Sequence, residues 1–160
     1  MAAKMQALWV LLTTGLASAD TIVGHGIVGH DAAPFVRGRA FSDTSAFYNR
    51  FPASAEGVVP DSVWGLSEDP AGLYLQFMTN TTSLSVNYTL GSSSLDMWHF
   101  PSTGVSGIDL YSFDESEDRW RWIATSAPKY PVTAATFFTS DDCPADAGAT
   151  TRRYRIHLPM

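Results

Sequence analysis

Gly107-Ile108-Asp109-Leu110-Tyr111-Ser112-Phe113 and Arg119-Trp120-Arg121-Trp122-Ile123-Ala124 flank the acidic run Asp114-Glu115-Ser116-Glu117-Asp118. Two strand-like segments joined by about five polar residues predict an antiparallel hairpin. In an extended chain alternate side chains share a face. Trp120 and Trp122 therefore lie on one side of the second strand, with Arg119 and Arg121 on the other. Asp109 faces the same side as Tyr111, between the apolar Ile108 and Leu110. A carboxylate is costly to bury unless it accepts hydrogen bonds. Arg119 and Arg121 are the expected partners, and the alternative is that Asp109 orients a ligand or a neighbouring domain. For Trp120 and Trp122 core packing is the expected role. A sugar-stacking platform is the alternative, since aromatic rings have flat apolar faces.

The same period extends outward from the hairpin. Leu73, Leu75 and Phe77 alternate with Tyr74, Gln76 and Met78, and both faces are mostly apolar, as in an inner strand. Leu84, Val86, Tyr88 and Leu90 alternate with Ser85, Asn87 and Thr89, the pattern of a half-buried strand. Val132–Thr139 and Arg153–Leu158 add two more. In the last, Tyr154, Ile156 and Leu158 face one way and Arg153, Arg155 and His157 the other. Sustained helical periodicity is missing, and Ser42–Asn49 is the best helical candidate, at most two turns. The expectation is an all-β, antiparallel β-sandwich (jelly-roll-like) with one domain.

The chain has 160 residues, 45% of them hydrophobic and only 16% charged, and 32 are Ser or Thr. The net charge is −6, with two Lys and no basic run longer than Arg152-Arg153. That balance argues against nucleic acid or an anionic membrane as partner. Residues 1–19 read as a secretory signal peptide: Lys4 in the n-region, the apolar run Met5–Leu16, and small residues at Ala17-Ser18-Ala19. Cleavage is expected after Ala19, leaving residues 20–35 as an extension and 36–160 as the domain. The apolar run is too short to span a bilayer. A secreted product agrees with two N-x-S/T sequons, at Asn80 and Asn87, as glycosylation candidates. Cys143 is the single cysteine, so an internal disulfide is excluded.

Three motif-like patterns lack the context their chemistry needs. Gly24-His25-Gly26-Ile27-Val28-Gly29 spells G-x-G-x-x-G, yet the apolar segment before it reads as the signal peptide and no helix follows, so no dinucleotide is expected. His25 and His30 have no convincing third ligand, so no metal is expected. Asp96 and His99 have D-x-x-H spacing, but neither G-x-S-x-G nor Gly-Asp-Ser occurs. A hydrolytic triad also needs an activated Ser and an oxyanion hole. His99 therefore reads as a loop histidine packed beside Trp98.

The run from His99 to Tyr111 resembles the N-terminal domain of SGNH-type (GDSL-like) esterases, known for a G-x-D-L-Y motif, here Gly107, Ile108, Asp109, Leu110 and Tyr111. Arg50-Phe51-Pro52 is similar to the family's R-L/F-P step. Val63-Trp64-Gly65-Leu66-Ser67 and Ala71-Gly72-Leu73 are similar to its V-W-x-L-S and A-G-L/I steps. Trp120-Arg121-Trp122 matches W-x-W, and Arg153–Pro159 resembles the closing strand. The resemblance spans residues 36–159. It implies a β-sandwich ahead of a separate SGNH catalytic domain that carries the nucleophile, oxyanion hole and D-x-x-H pair. It implies no catalytic residue and no cofactor in this chain, and a structural or docking role for Gly107, Asp109, Leu110, Tyr111, Trp120 and Trp122. The expected function is a non-catalytic accessory domain of a secreted carboxylic-ester hydrolase, cut before its catalytic domain. The alternative is a stand-alone secreted carbohydrate-binding module, which a solvent-facing Trp98, Trp120 or Trp122 would favour.

Overall fold

The computed structural model describes residues 5–12, 28–139 and 150–160. Nine strands are described: β1 (Met5–Leu12), β2 (Val28–Asp31), β3 (Val36–Arg37), β4 (Tyr74–Thr79), β5 (Leu84–Leu90), β6 (Asp109–Asp114), β7 (Arg119–Thr125), β8 (Val132–Phe138) and β9 (Arg152–His157). They form a four-stranded sheet, β2-β1-β5-β8, and a five-stranded sheet, β3-β4-β9-β6-β7. Every pairing is antiparallel. The two sheets enclose one apolar core, as the sequence alternation predicts.

The period-two strands bury the face their patterns mark. Leu75 and Phe77 of β4, Leu84, Val86, Tyr88 and Leu90 of β5, and Tyr154 and Ile156 of β9 all point inward. Phe77 stacks on Tyr154, and Tyr154 stacks on Phe138, each pair with ring centroids 5.9 Å apart. The row carries aromatic contact from β4 through β9 to β8 of the facing sheet. Met5–Leu12 lies between β2 and β5. A register shift between Met5 and Ala7 sets Met5 opposite Leu90, while Leu8 stays opposite Tyr88 and Val10 opposite Val86. Met5, Leu8 and Val10 are all buried.

The hairpin forms as expected, with Asp109–Asp114 paired to Arg119–Thr125. The helical expectation fails. Ser42–Asn49 is a series of bends and turns, not a helix. Its polar side chains bond locally instead: Asn49 Nδ2 donates to Ser45 Oγ at 2.9 Å, and Thr44 Oγ1 donates to the Ala46 carbonyl at 2.8 Å. Such bonds compete with the helical ladder. The helix lies later, as α1 (Asp61–Ser67), entered through Pro60 with an acidic residue in its first turn. Arg50 holds its far end, donating to the carbonyls of Leu66 and, at 2.8 Å from Nε, of Asp69. This contact joins the Arg50-Phe51-Pro52 step to the Val63–Ser67 step. Gly72 then takes φ +87° at the entry to β4, a conformation that favours glycine. A single helical turn, α2 (Ser102–Val105), precedes β6.

Candidate functional site

The residues of the Gly107–Tyr111 motif have separable jobs. Gly107 is where α2 and the β7 end of the hairpin close on the motif. A Cβ there would lie 2.4 Å from the Thr103 carbonyl oxygen and 2.7 Å from that of Ser126. Only glycine leaves room for both backbones. Ile108 and Leu110 are fully buried in the sandwich. Asp109 and Tyr111 point away from it, onto the outer face of the five-stranded sheet.

A buried polar network fixes the motif to the opposite sheet. Tyr88 of β5 reaches across the core, donating to the Ser106 carbonyl at 3.2 Å and bonding Ser126 Oγ at 2.9 Å. Ser126 Oγ in turn accepts from the Ile108 amide at 2.9 Å. Ser106 Oγ donates to the Leu95 carbonyl at 2.9 Å. Burial pushes the Tyr88 phenol up, so it stays protonated and acts as a donor. The sequence reading missed Tyr88, Ser106 and Ser126 as motif partners. The one signal for them was a tyrosine at an inward position of an otherwise aliphatic strand face, since a buried phenol demands a partner.

On the outer face Asp109 accepts a hydrogen bond from Thr125, and Thr125 Oγ1 accepts from Trp122 Nε1 at 3.1 Å. The expected arginine partners are engaged elsewhere. Arg121 Nε donates to Asp114 Oδ2 at 2.6 Å, and Arg119 pairs with Glu117. Asp114 also accepts from Ser116, and these bonds hold its carboxyl well below the usual carboxylate range. The hairpin turn thus satisfies its own arginines locally, leaving Asp109 to Thr125 at the far end of β7.

Around this pair runs a lattice of rings and guanidinium groups. Arg155 lies over Trp120 at 4.1 Å and over Tyr74 at 4.4 Å from the ring centroids, and donates to Gln76 Oε1 at 2.8 Å. Arg153 lies 4.6 Å over Phe113, whose ring meets Trp120 edge-on at 5.1 Å. His157 sits between Tyr74 at 5.8 Å and Tyr111 at 5.4 Å. Burial and the Arg155 charge push the His157 imidazole down, and Asp109 opposes them only in part. The ring is therefore neutral near pH 7.

The tryptophans are not core residues. Trp122 is 60% exposed and Trp120 half-buried, because both lie on the outer face of β7, at the edge of its sheet. Trp122→Ala is expected to cost less than about 1 kcal/mol of stability. Trp120→Ala should cost about 1–2 kcal/mol, through the lost Arg155 and Phe113 contacts. Urea denaturation of the two variants checks this, and equal losses above that range would contradict the assignment.

Trp98 is 95% exposed. His99 packs between Trp98 and Phe100, with centroids at 4.6 and 4.9 Å. Among the described residues no hydrogen bond joins Asp96 to His99, and no three His, Cys, Asp or Glu side chains gather as a metal-holding group. Asn80 lies in the β4–β5 turn and Asn87 on the outer face of β5. His30 lies in β2. Residues 24–27, with His25, lie outside the described residues, as does Cys143.

This arrangement is an all-β sandwich whose diagnostic motif serves packing on one side and an aromatic, arginine-rich surface on the other. The profile of the GxDLY family, the N-terminus of SGNH-hydrolase-type esterases, matches residues 29–160, and the chain belongs to that family. Among solved structures it is similar to a GDSL-like lipase from Bacteroides ovatus ATCC 8483, with a TM-score of 0.66 and 18% sequence identity. The match covers 79% of this chain and 35% of the lipase chain, so this chain spans about a third of that enzyme. No curated protein sequence matches it.

Proposed function

We propose that this chain is the non-catalytic N-terminal accessory domain of a secreted SGNH-type carboxylic-ester hydrolase, whose catalytic domain follows it in cis. The observation that carries the reading is the family match over residues 29–160, to a domain defined by its place at the N-terminus of these esterases. The site chemistry supports it. The hydroxyls beside the motif, Ser106 and Ser126, are bonded to backbone groups and to Tyr88 rather than set beside a base. The purified 160-residue chain is expected not to hydrolyse short acyl esters above background. Positioned acid–base groups supply factors of about 100 to 10,000 and oxyanion donors about 100 to 1,000, so their lack is plain in a rate. Labelling of a Ser in this chain by a fluorophosphonate probe would overturn the reading.

Secretion belongs to the same proposal: removal of residues 1–19 and glycosylation at Asn80 or Asn87. N-terminal sequencing of secreted material should begin at Asp20, and glycosidase treatment should raise its gel mobility. A secreted product that retains Met1–Ala19 would rule out cleavage and leave Met5–Leu12 to its strand position.

A second reading, carbohydrate binding, is favoured by the exposed ring of Trp122 beside Tyr111. Arg37, Gln76 and Arg153 line a recess of about 200 Å³ on the same sheet and offer hydrogen-bonding groups for sugar hydroxyls.

A further inference from the structure

The most exposed large apolar side chain in the described chain is Trp98, at 95%. It stands at the tip of a tight turn. Met97 N donates to the Phe100 carbonyl at 3.0 Å, and Phe100 N donates to the Met97 carbonyl at 3.1 Å. Trp98, His99 and Phe100 pack ring against ring, so the tip is ordered before anything binds it. Preorganisation of this kind removes part of the entropic cost of association. An isolated tryptophan in water contributes little to its own domain, whereas tryptophans are enriched among the anchors of interfaces.

The turn is fastened to the point where the chain leaves the sandwich. Phe100, 46% exposed, lies against α2: a Cβ placed on Gly104 would be 4.0 Å from its ring. Val105, the last residue of α2, accepts a hydrogen bond from the Met160 amide at 3.0 Å. The absence of a side chain at Gly107 lets the α2 backbone at Thr103 approach the motif closely. One helical turn therefore has the Trp98 tip on one side and the outgoing chain on the other. In an esterase of this family the polypeptide continues from that point into the catalytic domain. A domain tethered so closely meets the tip at high effective concentration, and a small anchor suffices.

We infer that the Met97–Phe100 turn, with Trp98 as its anchor, is the contact on which the following SGNH catalytic domain docks. The inference rests on the accessory-domain reading above. The neighbours of the tip fit a protein surface better than a sugar. Its turn is closed by Met97 and Phe100, with the His99 ring packed between Trp98 and Phe100, rather than by the amide and guanidinium groups that line the recess near Arg153.

The test joins the full 160-residue chain to the catalytic portion of the Bacteroides ovatus lipase, in place of the region it matches. Hydroxyl-radical footprinting then compares this fusion with the chain alone. Trp98 oxidation is expected to slow by about tenfold in the fusion, with Trp122 changing less than about twofold, because only residues at the core of a contact are dried. Trp98→Ala should leave the melting of the chain alone unchanged and split the fusion's single thermal transition into two. Protection of Trp122 and Tyr111 with Trp98 unchanged would overturn this face and leave the accessory reading standing. No protection anywhere would overturn both. Protection of Trp98 in the unfused chain by xylohexaose would overturn the docking role in favour of glycan binding.

Discussion

Gly107→Ala is expected to lower the stability of the domain by about 3 kcal/mol, at the upper end of the overpacking range. For a domain of this size that is a fall of about 10 °C in Tm, measured by circular dichroism. The added methyl would meet two backbone oxygens, of Thr103 and Ser126, at distances that no rotamer can relieve. Relief requires α2 to move away from the motif or the Ser126 segment to shift, and the second breaks the hydrogen bonds of Ser126 to Ile108 and Tyr88. Gly104→Ala is the control. Its methyl would meet nothing closer than 4.0 Å, so its Tm should stay near that of the parent. A Gly107→Ala protein as stable as the parent would show that the motif glycine is not there for space.

Phe77→Ala should cost about 3–5 kcal/mol, the range for removing a fully buried aromatic ring. Phe77 is enclosed in the core and stacks on Tyr154, which itself stacks on Phe138. The cavity would open at the middle of the sandwich, between paired strands that cannot collapse into it. Urea unfolding should show a lower midpoint with an unchanged slope, and Phe77→Leu should recover most of the loss. A loss under about 1 kcal/mol would mean that the core repacks freely around the site.

Period two was enough to read β4, β5, β9 and the 109–125 hairpin from the sequence, because alternation in a half-buried strand is dictated by the pleat itself. The same rule placed Trp120 and Trp122 on one face but could not say which face was inward. β7 is an edge strand, and its aromatic side turned out to be the outer one. The partner of Asp109 was hidden for a related reason. Arg119 and Arg121 were near enough in sequence, but Asp114 and Glu117 of the turn reach them first. A register shift between Leu110 and Tyr111 brings Thr125 opposite Asp109 instead. Side chains that meet across long loops, such as Arg50 with the end of α1 or Tyr88 with Ser126, leave no periodic trace. The helix was misplaced because Thr44, Ser45 and Asn49 are turn formers as readily as helix residues. Of the surface features, Trp98 was legible as a candidate, but its seat beside the chain exit depends on a contact between Val105 and Met160 that only the fold supplies.

The position of β9 has a mechanical consequence. It is the middle strand of its sheet, laddered to β4 along its whole length and to β6 along much of it. The polypeptide leaves through it, by way of Leu158, whose amide still bonds the Leu73 carbonyl. A pull applied beyond Leu158 would act along the strand axis, and the cross-strand bonds of both ladders would resist it together in shear. An edge strand pulled from the sheet would instead peel, one bond after another. Tension applied at Met160 should therefore part the contact between Val105 and Met160 before it draws β9 from the sheet.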